Sequence, residues 1–134
     1  MNRTRIDERM LVAGTATGPL VISPAPLSFW GGFDAASGEV IDRRHPLSGR
    51  TLSGLVLALP WTRGSSTTTA VLLESVRRGT APAAILLPKV DSFIALAAIV
   101  ARELYGRTFP VAVVPLDALT GATRVQIDEG GVWL

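Results

Sequence analysis

Leu55-Val56-Leu57-Ala58-Leu59-Pro60-Trp61-Thr62-Arg63-Gly64-Ser65-Ser66-Thr67-Thr68-Thr69 is the stretch that decides the fold. The apolar run Leu52 to Leu59 reads as a strand buried on both faces, and Pro60, which offers no N–H to a ladder, ends it. Trp61 to Ser65 is a polar loop. From Ser66 the pattern turns helical, with Val71, Leu72, Leu73 and Val76 on an apolar face, and Gly79 then Pro82 stop it. A buried strand feeding an amphipathic helix is the repeating unit of α/β folds.

The same alternation continues downstream. Ala83 to Leu87 is a continuous apolar strand, and Asp91 or Ser92 can cap a helix over Phe93 to Leu104 that Gly106 ends. Val111 to Val114 reads as another buried strand and Thr123 to Ile127 as an alternating one. Upstream, Leu20-Val21-Ile22 is a strand stopped by Pro24 and Pro26. Residues 27–38 read as a long loop with Gly31-Gly32 and the turn Ala36-Ser37-Gly38. Val40-Ile41 is a short strand, and His45 to Gly49 a turn. Residues 1–8 are polar and read as a frayed start. With no internal repeat and no linker, residues 1–134 form one α/β domain with a parallel stretch. The strand-rich first half adds a second sheet or a half-open barrel.

Composition narrows the function. Of 134 residues, 48% are hydrophobic and only 18% charged, which predicts apolar surface buried against a partner in addition to a dense core. The net charge is +2, and the 13 basic residues, with Lys89 the single lysine, are scattered rather than clustered. Nucleic acid as a partner is therefore excluded. There is no cysteine, so neither disulfides nor thiolate metal ligation is open to this chain. No apolar run approaches the roughly 20 residues needed to cross a bilayer. The start does not read as a signal sequence, so the expected location is cytoplasmic.

Chemistry concentrates where the strand meets the helix. The first N–H groups of a helix lack internal partners, and with the helix dipole they favour an anion. Gly64 permits close backbone approach, and Arg63 adds a donor suited to a carboxylate. N–H groups aimed at a serine oxygen also stabilise its alkoxide. Ser and Thr are equally the preferred N-caps, so these residues alone leave capping and chemistry both open. No Walker-type lysine is present to bind nucleotide phosphates.

A second candidate is Pro26-Leu27-Ser28-Phe29-Trp30-Gly31-Gly32-Phe33-Asp34, whose aromatics and double glycine suit either a ligand-covering loop or a core anchor. His45 is the only histidine. It could shuttle protons or carry a phosphoryl group, although a loop histidine before proline is more often a structural hydrogen-bonder. One histidine and no paired carboxylates predict no metal site in this chain. Arg77-Arg78 reads as surface charge complementing a helix C-terminus.

These segments together resemble the aconitase X family in its two-subunit form. The resemblance runs through residues 26–34, through Gly38-Glu39-Val40-Ile41-Asp42-Arg43-Arg44-His45-Pro46-Leu47-Ser48-Gly49, through Arg63-Gly64-Ser65-Ser66 and through Gly79-Thr80-Ala81-Pro82-Ala83-Ala84-Ile85. It implies a three-layer β/β/α swivelling domain, a partly open barrel, acting as the small subunit of a hydro-lyase. It implies a large-subunit partner that carries an iron–sulfur cluster on its own cysteines, whose iron acts as Lewis acid on the departing hydroxyl. By the same resemblance Ser65 is the base, taking the substrate proton as alkoxide. Arg63, Gly64, Ser66 and Thr67 hold the anionic end of a small substrate, and Phe29, Gly31 and Gly32 line the closed site. The subunit alone would catalyse nothing.

Two dehydrations go with such subunits, of cis-3-hydroxy-L-proline and of (R)-5-phosphomevalonate. The near-absence of lysine favours the first. Two readings of other classes compete: a non-catalytic swivel that only completes a partner's pocket, and a phosphohistidine carrier using His45.

Overall fold

Burial along the central strands alternates between two cores, and this sets the layers. The computed structural model describes residues 3–134. In β7 (Val56–Ala58) and β9 (Ala84–Leu87), Leu57, Ile85 and Leu87 join one hydrophobic cluster, whereas Val56, Ala58, Ala84 and Leu86 join another. Both faces are dry, which is why these strands read as unbroken apolar runs. The first cluster is capped by α2 (Ser66–Arg78) and α3 (Ser92–Tyr105) through Leu72, Val76, Ile94, Ala97 and Ala101. The second is closed by Ile6, Val125, Ile127 and Val132 from β1 (Arg5–Ile6), β11 (Arg124–Asp128) and β12 (Gly131–Trp133).

One eight-stranded sheet makes both β layers by curling into a half-barrel. Its order is β1-β12-β11-β3-β7-β9-β10-β2, where β2 is Arg9–Val12, β3 Ala16–Ile22 and β10 Val111–Val113. Strands β3, β7, β9 and β10 run parallel, and the flanking pairs are antiparallel. This is the α/β, β/β/α, partly open barrel that the sequence predicts.

Details differ from the sequence expectations. The predicted strand 52–59 is ordered as strand only from Val56, because the turn at Ser53-Gly54 breaks it. Residues 27–38 are not a free loop. They contain β4 (Leu27–Ser28), a distorted turn α1 (Phe29–Gly32) and β5 (Phe33–Asp34), which pairs with β6 (Glu39–Val40). The expectation of a frayed start over residues 1–8 fails at Arg5–Ile6, which pairs with Val132 and Trp133; residues 1–2 lie outside the described residues.

The two helices end as the sequence predicts. Gly79 and Gly106 take left-handed conformations (φ 77° and 64°) that let their N–H groups reach back to the last carbonyls. Asp91 Oδ1 caps α3, accepting from the N–H groups of Phe93 at 3.0 Å and Ile94 at 3.2 Å.

Candidate active site at the start of α2

Beyond β7 the chain makes a second, short pairing before it enters the helix. Strand β8 (Thr62–Arg63) lies parallel to β4, with Leu27 opposite Thr62 and Ser28 opposite Arg63. The aromatic-glycine segment and the Arg-Gly-Ser-Ser segment, remote in sequence, are thereby placed side by side. Gly64 follows with φ 108°, and a Cβ there would fall 2.7 Å from the Thr67 hydroxyl, so only glycine fits. Ser65 then takes φ 48° and ψ −121°, the only non-glycine residue with positive φ among the described residues. Such a conformation costs about 1–3 kcal/mol and persists only where its surroundings hold it.

Ser65 occupies the N-cap position of α2, yet its hydroxyl makes no capping bond and is exposed. Of the two roles that the sequence left open, capping is not taken by this side chain. The threonines do not cap either. Thr67 Oγ1 donates to the Gly64 carbonyl and Thr68 Oγ1 to the Arg63 carbonyl, the latter at 3.0 Å. Thr68 is fully buried, so this second bond anchors the turn to the body of the helix. Among the described residues the N–H groups of Ser65 and Ser66 donate to no protein acceptor. An uncommitted hydroxyl thus stands beside uncommitted donors at the positive end of a helix dipole, suited to bind an anion or hold an alkoxide.

The expected site residues divide accordingly. Arg63, Gly64, Ser65 and Ser66 are exposed together, and Arg63 forms no salt bridge among the described residues. Thr67 is a correction: its proton is committed to the Gly64 carbonyl, so it braces the turn instead of donating to a substrate. Phe29 is another, being 0% exposed and packed edge-to-face on Phe33 with centroids 5.3 Å apart. It anchors its loop in the core and cannot line a site, whereas the neighbouring Trp30 is 68% exposed. Gly32 is buried against Leu27 and Asp42, while Gly31 (φ 79°) faces open space.

Residue patterns did not place the β9–α3 loop in the site. Val90, Asp91, Ser92 and Phe93 form the far wall of a cleft of about 400 Å³ whose near wall is Thr62 to Ser65. A second cleft of about 460 Å³ continues from it past Trp61 and Lys89. Parallel β7 and β9 are neighbours, so the loops leaving their C-terminal ends must lie together, where α/β sheets bind ligands. That adjacency was the available signal.

His45 lies away from this cleft in chemical terms. It is 7% exposed and both ring nitrogens are engaged: Nδ1 accepts from the Leu47 N–H at 3.0 Å, and Nε2 lies 3.3 Å from Ser23 Oγ. A phosphoryl carrier needs an accessible nitrogen, so the carrier reading loses its residue. Among the described residues no three His, Cys, Asp or Glu side chains gather as a metal-binding group. With no thiolate either, the donor set of this chain does not fit an iron–sulfur cluster. No helix among the described residues is long and apolar enough to cross a membrane.

A curled half-barrel with two helices over its parallel strands, and an uncapped serine at the end of one of them, defines a swivel-type α/β domain. Comparison with known proteins narrows this. The family model described as the aconitase X swivel domain matches residues 5–133. The cis-3-hydroxy-L-proline dehydratase of Pseudomonas aeruginosa is 60% identical over 107 residues, 80% of this chain and 18% of that protein. The phosphomevalonate dehydratase small subunit of Methanothermobacter thermautotrophicus is 42% identical over 95% of this chain and 97% of its own. The crystal structure of Thermococcus kodakaraensis aconitase X in its holo-form superposes with a TM-score of 0.84 at 27% identity, covering 97% of this chain and 96% of that one. The chain belongs to the aconitase X swivel-domain family. It spans about a fifth of the cis-3-hydroxy-L-proline dehydratases it matches, 18% of one and 21% of another from Hypocrea jecorina.

Proposed function

We infer that this chain is the small, swivel-domain part of an aconitase X-type dehydratase and supplies its base, Ser65. The observation that carries this is the strained, uncapped hydroxyl of Ser65 beside the free N–H groups that open α2. In the reaction the Ser65 alkoxide takes the proton on the carbon next to the substrate carboxylate. The electron pair left behind forms the C=C bond as the hydroxyl on the adjacent carbon leaves, and it is released as water, the proton taken by Ser65 balancing the one the hydroxyl gains. Arg63 and the N–H of Ser66 hold the anionic end, fixing the C–H bond against the serine oxygen. The backbone donors and the dipole of α2 hold the charge of the alkoxide.

The substrate favoured is cis-3-hydroxy-L-proline, giving a pyrroline carboxylate, because the relative bearing that activity is 60% identical against 42% for the phosphomevalonate enzyme's subunit. The second reading, (R)-5-phosphomevalonate dehydration, rests on the match to that small subunit over 97% of its length. The remainder of the enzyme is a large partner subunit, which is where the resemblance puts the iron–sulfur cluster. Without it the subunit is expected to be inactive.

The test is Ser65→Ala assembled with the large subunit and assayed on both substrates. Loss of turnover by about 10²- to 10⁴-fold with substrate binding retained is the expected result for a missing general base. A rise in KM with kcat intact would instead make the domain a non-catalytic wall of the partner's pocket.

A further inference from the structure

We propose that Asp91 is the positioning residue of Ser65, acting through Thr62; this rests on the reading of Ser65 as the base. The strained turn at Ser65 needs restraint beyond the β4–β8 pairing and its own threonine bonds, and the first turn of α3 supplies it. Ahead of the turn, Thr62 Oγ1 donates to Asp91 Oδ2 at 2.6 Å. Behind it, Thr69 Oγ1 donates to the carbonyl of Phe93 at 2.8 Å. Both bonds tie the chain around Ser65 to the first turn of α3, so the serine is bracketed by two cross-links to the same neighbouring loop.

Asp91 is the pivot because its two oxygens do different work. Oδ1 caps α3 through the N–H groups of Phe93 and Ile94, which fixes the carboxylate rigidly to that helix. Oδ2 is then a preset acceptor for Thr62, and both residues are half-buried in the wall of the Ser65 cleft. Thr62 also sits in the β4–β8 pairing, so the bond locks the register of β8 one residue ahead of Arg63. Without it, the chain from Arg63 to Ser65 is free to relax out of positive φ, and the serine oxygen moves from its place against the substrate.

Substitutions can separate the cap from the clamp. Asp91→Ser keeps an N-cap hydroxyl but is too short to reach Thr62 as well, and Thr62→Val removes the same bond from the other side without changing side-chain shape. Asp91→Asn keeps both, since its oxygen still caps and its NH₂ donates to the threonine hydroxyl. In the complex with the large subunit, Thr62→Val and Asp91→Ser should each lower kcat about 10- to 100-fold, the scale of a small misplacement of a reacting group. KM should change less than kcat, since the Arg63 guanidinium is still present to hold the substrate while the serine oxygen has moved. The double variant should be no worse than either single one, because both remove one bond. Asp91→Asn should restore most of the turnover.

Crystal structures of the variant complexes should show residue 65 with negative φ. Wild-type kcat in both Thr62→Val and Asp91→Ser, or an unchanged positive φ at residue 65 in their structures, overturns the proposal while loss of activity in Ser65→Ala leaves the base in place. Wild-type turnover in Ser65→Ala removes the base, and this proposal with it.

Discussion

Ser23 and His45 form a buried pair that fixes the approach to the site, with Ser23 Oγ 3.3 Å from His45 Nε2. Because Nδ1 accepts the Leu47 N–H, the ring proton sits on Nε2 and points at the serine, an assignment made from the hydrogen bonds. Ser23 Oγ in turn donates a hydrogen bond to the Ala25 carbonyl at 2.6 Å. The relay clamps the proline-flanked segment that leads from β3 into β4. His45→Ala strands the Leu47 N–H in a buried setting and removes the partner of Ser23, so it should destabilise the protein by about 1–3 kcal/mol. Urea denaturation measures this, and phosphate labelling of the same variant should match the wild type at background level.

Ser65→Gly should separate stability from activity. Glycine adopts φ 48° without strain, so the relief offsets its greater loss of chain entropy and the variant should gain about 1 kcal/mol. Turnover of the assembled complex should fall at the same time, because the hydroxyl is gone. Denaturant midpoint and kcat moving in opposite directions is the expected signature of a strained functional residue.

What could be read from the chain without coordinates follows how local the causes are. The run Leu55 to Leu59 and the apolar face of Val71, Leu72 and Val76 state their own burial, so β7 and α2 were readable. Strands β1 and β12 were not: they are two and three residues long, and Arg5 is exposed, so no periodicity develops. The site shows the same division. Arg63-Gly64-Ser65-Ser66 announces a helix start, but the backbone angle that frees Ser65 depends on the β4–β8 pairing and on Asp91, both distant in sequence. Phe29 and Trp30 look interchangeable as residue types. Their opposite burial comes from the irregular turn at Trp30 (ψ 116°), which points one ring inward and leaves the other outside.

Acid should weaken the end of the sheet through Asp128. The Trp133 indole N–H, 2.9 Å from Asp128 Oδ1, lowers that carboxyl below its usual range, and the Gly130 N–H and Arg3 add to it. Glu74, bonded by Arg77 and Arg78 near the end of α2, is lowered to about 2. A depressed folded-state value means stabilisation that is present above the unfolded value, about 3.9 for an aspartate, and is lost as pH falls through the folded one. The stability deficit of Asp128→Asn relative to wild type should therefore be largest near neutral pH and shrink below pH 4. Urea titrations at pH 7 and pH 3 check this, and an equal deficit at both would show that the carboxylate charge contributes nothing.

Arg63 offers a different kinetic signature from Ser65. Its guanidinium is exposed, holds no carboxylate of its own among the described residues and borders the cleft beside Ser65. The substrate's carboxylate already carries its charge before proton removal, so loss of the group that grips it weakens binding more than it slows the chemical step. In the assembled enzyme Arg63→Gln should raise KM by about 10-fold with kcat little changed, the pattern of lost uniform binding. Arg63→Lys should fall between, because a point charge restores attraction but not the paired donor geometry. Were kcat instead to collapse with KM unchanged, Arg63 would be acting on charge that appears only in the transition state, and the anionic end of the substrate would have to be held by the backbone of Ser65 and Ser66 alone.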